Sequence, residues 1–266
     1  MRSKGFWNGP VLLVGLLLVA AVAGAGTLPF KPGERLFYEV RWEKVPVAQA
    51  SLEVGTLTQF KGAPAYHFVF RARTYPVVEF FFPVDGYLEG FTDLTMSRSL
   101  WFEKDMLEGR TRRNFWVDFD WDRGVTEYAN DPYRKRRFPL PEGTLDMISM
   151  LYYARSLSLE KGMTVSRPLN TGKKNLLVRA RVIQKEVIVV DGRPWKAFML
   201  APDIREAGGV FDKSEDPELF LWISADERRI PLRLVSKVWV GSFVIEFMDT
   251  PSEADRRSGA RRAVGS

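Results

Sequence analysis

No cysteine occurs among the 266 residues of this chain, and histidine occurs once. The first absence excludes disulfides, cysteine nucleophiles, thiolate metal sites and iron–sulfur clusters. The second excludes a histidine-rich metal centre. A Ser-His-Asp triad needs only one histidine, but the Gly-x-Ser-x-Gly elbow that would present its serine is missing. His67, between Tyr66 and Phe68, therefore reads as a strand residue at the surface or at the edge of a pocket. Neither Gly-x-x-x-x-Gly-Lys-Ser/Thr nor Gly-x-Gly-x-x-Gly is present to cradle a phosphate, and no cofactor is expected. The calcium-loop pattern Asp-x-Asp-x-Asp-Gly is absent as well. Its nearest approach, Asp118-Phe119-Asp120-Trp121-Asp122, reads as a solvated strand end entering a turn.

Long apolar runs are confined to the amino terminus. Arg2 and Lys4 precede an uncharged run from Val11 to Val22, and Ala23-Gly24-Ala25 follows as a small-residue cleavage box. That order is the order of a secretory signal. The run falls short of the ~20 apolar residues of a spanning helix. The reading is a cleaved signal over 1–25, a periplasmic protein, and one β-rich domain over 29–249. The remainder, 250–266, contains Arg256, Arg257, Arg261 and Arg262 among Ser, Ala and Gly, and reads as a disordered basic tail. With no cysteine after the signal, attachment of a lipid to a terminal cysteine is excluded. Loss of Arg2 and Lys4 lowers the net charge from +6 to +4, too little to suggest nucleic acid as a partner.

Within the body, short extended runs alternate with turns. In 48–58, Ala48, Ala50, Leu52, Val54 and Thr56 share one face, with Gln49, Ser51 and Glu53 on the other; that is the period of a half-buried strand. Further strands are expected at 36–42, 66–74, 85–91, 97–103, 110–120, 125–130 and 133–138. After them come 165–170, 175–182, 186–190, 195–202, 219–224, 232–240 and 242–248. Lys44-Val45-Pro46 reads as a turn, Asp191-Gly192 and 239–242 read as hairpin turns, and 207–209 with 213–217 as a flexible loop. One segment differs: Thr144 caps a predicted helix to about Ser156, whose Leu145, Ile148, Leu151, Tyr152 and Arg155 form a stripe. The fold class is mainly β, an antiparallel curved sheet or (half-)barrel with one helix covering or plugging it.

Several segments resemble the bacterial domain-of-unknown-function 3108 family of exported proteins. They are 29–34 with Leu36 and Tyr38; Trp42 with Val45-Pro46-Val47-Ala48 and 50–54; Pro83-Val84-Asp85 with Glu89; 144–146 with 151–155, Leu157, Leu159 and Gly162; and 226–232 leading to Gly241. The sequence departs at Val47-Ala48, where the family often has a small residue and glycine. The resemblance implies an envelope location and a β-rich fold, and no established activity or catalytic residue.

Two kinds of surface could bind. Phe80, Phe81 and Phe82 lie between Pro76 and Pro83 and cannot all face one side of a strand. They read either as a buried loop or short helix, or, with Leu151 and Tyr152, as the mouth or lid of a hydrophobic cavity. Arg110 with Arg112, and Lys135 with Arg137, read either as a patch contacting anionic groups or as a solvated face paired to carboxylates. The expected partner is a lipid or other hydrophobic ligand, with membrane contact at most peripheral. The alternative is a structural or interaction protein of the envelope. A cell-wall hydrolase ranks last, since no motif supports it.

Overall fold

The computed structural model describes residues 28–131, 133–203, 218–238 and 241–249. The predicted signal, the 207–209 and 213–217 segments, Trp239-Val240 and the basic tail lie outside these residues. The chain begins with strands β1 (Arg35–Trp42), β2 (Val45–Val54), β3 (Thr58–Phe60) and β4 (Ala63–Thr74), followed by a one-turn helix α1 (Pro76–Glu79). Next come β5 (Val84–Asp93), β6 (Ser99–Glu108), β7 (Thr111–Asp120), β8 (Val125–Ala129) and β9 (Lys135–Pro139), then helix α2 (Met147–Ser156). The last series is β10 (Thr164–Asn170), β11 (Asn175–Val190), β12 (Arg193–Pro202), β13 (Glu218–Ser224), β14 (Pro231–Val238) and β15 (Gly241–Met248).

These strands form one antiparallel sheet in the order β10-β11-β12-β13-β14-β15-β1-β2-β4-β5-β6-β7-β8-β9, with β3 paired to β4 off that path. Sequence neighbours pair as hairpins, and β15 lies against β1, with Tyr38 opposite Phe247 and Val40 opposite Ile245. The sheet does not close, because β9 and β10 are its two ends. The α2 connection joins them. Residues just before the helix stitch the sheet across the opening: the Ser99 amide donates to the Thr144 carbonyl, Leu145 donates to Pro168, and Asn170 donates to Leu145.

Alternation sets which face is inside. In β2, Ala48, Ala50, Leu52 and Val54 are buried while Gln49, Ser51 and Glu53 are only half-buried. Phe68 of β4, Phe102 of β6 and Val117 of β7 continue the same inner face and are fully buried. Each such side chain contributes roughly 1.5–3 kcal/mol of hydrophobic stabilisation. Across the inner face lies α2, which turns Ile148, Ser149, Tyr152 and Arg155 inward.

The helix starts later than Thr144. Its N-cap is Asp146, whose carboxylate accepts the Ile148 and Ser149 amides, while Thr144 and Leu145 are spent as extended backbone in the stitch. A second, one-turn helix, α1, is present in addition to the one expected. Strand β2 begins at Val45, because the turn is made by Glu43 with φ of 54° and Lys44, leaving Pro46 inside the strand. The 175–182 and 186–190 runs are one strand, β11, in which a bulge between Val182 and Gln184 absorbs the break in pattern. Asp191 and Gly192 make the expected hairpin turn, both at positive φ.

Candidate functional site

The residues singled out by sequence fall into separate places. Tyr152 is fully buried, stacked on Phe68 at 3.9 Å between ring centroids and edge-on to Phe30 at 4.9 Å. Leu151 is half-buried beside the same core and also touches a second cluster of Leu159, Val182, Phe198, Leu200, Leu221 and Ile223. The space beneath α2 is thus filled by side chains. Among its polar members, Arg155 is enclosed, reaches Glu34 with two hydrogen bonds of 2.6 and 2.9 Å, and donates to the carbonyls of Arg228 and Arg229, whereas the buried hydroxyls of Tyr38 and Tyr152 have no hydrogen-bond partner among the described residues. Burial raises the phenol pKa of Tyr38 and of Tyr152 well above the ordinary range.

Asp146 anchors the other end of α2. Besides its two amide donors it accepts the hydroxyls of Ser99 and Ser149, both at 2.6 Å. Burial nevertheless pushes its carboxyl pKa up, against the hydrogen bonds that pull it down. Gly90 permits this contact, since a Cβ there would stand 3.1 Å from Asp146 Oδ1. The segments 29–34, 144–155 and 226–232 therefore meet at one locus that holds the helix in the sheet.

The phenylalanine run lies elsewhere. It forms α1 and the bend after it, at the margin where β4 ends and β5 begins. From Phe68, under Tyr152, to Tyr75 is seven residues of extended chain, about 23 Å. The structure does not bring Phe80–82 to Leu151 and Tyr152. Phe80 is 86% exposed and Phe81 80%, their rings edge-on to one another at 5.1 Å. Phe82 is also exposed and lies over Gly109 in the β6–β7 turn. Val77, in the same turn of helix, is exposed too. Trp42 and Val45 add exposed apolar surface at the neighbouring β1–β2 turn. The loop is a protruding tip, not a lid closed over a cavity.

The basic residues are on or near the outer face. Arg110 is in the β6–β7 turn, and Arg112 pairs with Asp105 across that hairpin. Lys135 and Arg137 both pair with Glu127, at 2.6 and 2.8 Å, and the Lys135 ammonium also sits over the Trp116 ring. Arg112, Lys135 and Arg137 are thus each ion-paired with a neighbouring carboxylate, with Glu127 shared by two of them, and the two clusters lie on different hairpins.

Sequence reading missed an acidic pair on the same face. Glu89 and Glu103 stand directly opposite one another on β5 and β6. His67 Nε2 lies 2.6 Å from Glu89 Oε1 and this bond holds Glu89 below the usual carboxylate range, whereas burial and the neighbouring Glu89 raise Glu103. The pair lies on an open sheet face. The rings beside it, Phe60, Phe91, Trp101 and Trp116, spend their faces on one another, with centroids 4.3 Å apart for Phe60–Phe91 and 5.0 Å for Trp101–Trp116. Asp118, in the acidic run, is taken by Lys61. Among the described residues no group of three or more His, Asp or Glu is placed to hold a metal ion. No described helix is long and apolar enough to cross a membrane.

Comparison with known proteins places these features in a lineage. The model of a family described as "Protein of unknown function (DUF3108)" matches residues 38–248. No curated protein matches the chain. Among solved structures it is similar to a beta-barrel-like protein of domain of unknown function DUF1849 from Brucella abortus, with a TM-score of 0.50 and 10% identity, over 81% of this chain and 98% of that one. A candidate lipoprotein from Parabacteroides distasonis gives a TM-score of 0.28 at 8% identity, over 82% of this chain and 94% of that one. At these identities the Brucella likeness bears on the fold alone.

Proposed function

From the premise that this chain belongs to the DUF3108 family, we propose that it is an exported, non-enzymatic envelope protein that engages lipid through its Phe80–Phe81 tip. The observation that carries the reading is the exposure of these two rings on a protruding loop. An unbranched surface of this kind, without an inward pocket, suits insertion among acyl chains better than enclosure of one molecule. Pro76 and Pro83 bracket the tip and limit the entropy lost on docking. Its one charge, Glu79, is matched by Arg73 at 3.0 Å. The signal expected from residues 1–25 supports the location, and the filled space beneath α2 argues against carriage of a ligand there.

The test is sedimentation of the purified chain with vesicles of phosphatidylethanolamine and phosphatidylglycerol. The native chain is expected to co-sediment, and Phe80→Ser/Phe81→Ser to lose most of that binding while keeping its unfolding free energy within ~0.5 kcal/mol, as for exposed positions. Equal sedimentation of the two chains would rule out the tip as the lipid contact.

A further inference from the structure

The sheet has margins as well as faces, and they are not equally protected. Strand β9 is short and basic and ends in proline: Lys135-Arg136-Arg137-Phe138-Pro139. Strand β10 carries Pro168 and is covered at its end by Leu145. Lysine, arginine, proline and a covering segment are all devices that discourage pairing with a foreign strand. The second half of β11 differs. Strand β10 pairs with it only from Asn175 to Arg181, while β12 pairs with it from Ala180 to Val190. Val182 is still covered, exchanging hydrogen bonds with Gly162 and Met163. Beyond it, no described strand pairs with β11 on that side, although the Arg233 side chain of β14 reaches the Val189 end of the margin.

The register shows which backbone groups point outward. Val189 stands opposite Pro194, which has no N–H, so the two cannot form a hydrogen-bonded pair and the Val189 N–H and C=O point away from β12. By the two-residue period the same holds for Val187, opposite Lys196, and Lys185, opposite Phe198. Two further bonds agree: the Lys196 carbonyl accepts from Ala225, on its other side, and the outward Val189 carbonyl accepts from Arg233 at 2.7 Å. The amides of Lys185, Val187 and Val189 and the carbonyls of Lys185 and Val187 have no partner among the described residues.

The side chains beside this margin complete a binding surface. Val187 is 62% exposed and Val189 60%. The Lys185 ammonium folds back over the Phe198 ring, 5.2 Å from its centroid, and so does not guard the edge. On the same face is an open hollow of about 320 Å³ lined by Lys185, Pro194, Trp195, Lys196, Ala225 and Asp226. Asp226 is occupied by Ser224 and Arg228, which leaves the two lysines to set its charge. A free edge gives affinity through main-chain bonds, and an adjacent hollow selects alternate side chains. We propose that residues 183–189 of β11 are a docking edge for an extended segment of a partner protein in which apolar and acidic residues alternate, its acidic side chains directed to Lys185 and Lys196.

The test uses the full chain and two synthetic eight-residue peptides, one alternating valine with glutamate and the other valine with lysine. The glutamate peptide is expected to slow hydrogen exchange at the amides of Lys185, Val187 and Val189, and to bind at least ten-fold more tightly than the lysine peptide. Val187→Pro removes an outward N–H and is expected to abolish binding. Lys196→Glu, which leaves the backbone intact and cancels the charge of Lys185, is expected to abolish the preference between the peptides. Unslowed exchange at the three amides with the glutamate peptide, or an unchanged preference in Lys196→Glu, would overturn the proposal. So would a concentration-dependent dimer that protects the same amides and is lost in Val187→Pro, since the edge would then belong to a second copy.

Discussion

Arg155 and Glu34 lie 121 residues apart in sequence and form a two-pronged ion pair, with the arginine side chain wholly enclosed and the glutamate mostly so. The pair ties α2 to the chain entering β1. Its removal from one side leaves a buried guanidinium whose remaining partners are two backbone carbonyls. Glu34→Ala is therefore expected to lower stability by about 3–5 kcal/mol, the cost of an uncompensated buried charge. Arg155→Met, which removes the charge and keeps an apolar side chain, is expected to cost less. Urea unfolding midpoints of the two variants, compared with the native chain, order these effects.

Asp146 combines a helix cap with a buried hydroxyl pair. Asp146→Ala is expected to destabilise by about 3 kcal/mol, from loss of the cap and from unpaired donors on Ser99 and Ser149. Gly90→Ala is expected to cost about 1–3 kcal/mol by crowding the same carboxylate. The pH dependence has a definite sign. Burial raises the folded pKa of Asp146 above its ordinary value of 3.8, so the folded state holds this proton more tightly than the unfolded state does. The group's contribution therefore declines as pH rises from below 3.8 through the raised value. Asp146→Asn removes that decline, which denaturant titrations across the acid range would detect.

Glu89 and Glu103 face each other across β5 and β6 with opposite shifts. The His67 bond depresses Glu89, so its contribution is present above its ordinary value of 4.5 and is lost as pH falls through the folded value. Glu103 is raised by burial and by Glu89, so its ionisation opposes folding progressively as pH rises from its ordinary value of 4.5 through its raised folded value. Glu103→Gln is expected to raise stability at pH 7 by up to about 1 kcal/mol, the scale of screened surface electrostatics, and to have no such effect near pH 3. Thermal unfolding at the two pH values distinguishes the outcomes.

Much of the architecture was legible because alternation is a local property. Ala48, Ala50, Leu52 and Val54 announce their inner face without any knowledge of β1 or β4, and Ile148 and Tyr152 do the same for α2. The exact helix start was not legible, because Thr144 and Asp146 are both good caps and only the stitch to Ser99 and Pro168 decides between them. Arg155 reads as the polar end of the stripe; its burial depends on Glu34, which pattern alone does not bring near. The phenylalanine run was conspicuous, but whether it lay inside or outside depended on what faced it. Val187 and Val189 carried a weak signal, an apolar stretch in which both faces of the strand are greasy. The open margin beside them is a property of sheet order, and no window of sequence contains it.

The pairing of β15 with β1 has a consequence for biogenesis. A ribosome delivers β1 first and β15 last, and within the ladder the β10–β14 run reaches β1 only through β15. Until Met248 has been made, β1 can be held only through β2, and the two halves of the sheet lack the β1–β15 ladder, though the stitch at Thr144 and Leu145 can already form. A chain built this way stays incompletely assembled throughout its synthesis. Permuting the chain so that it opens between β9 and α2, with the present ends linked, would put β15 and β1 next to each other in time and let that seam form early.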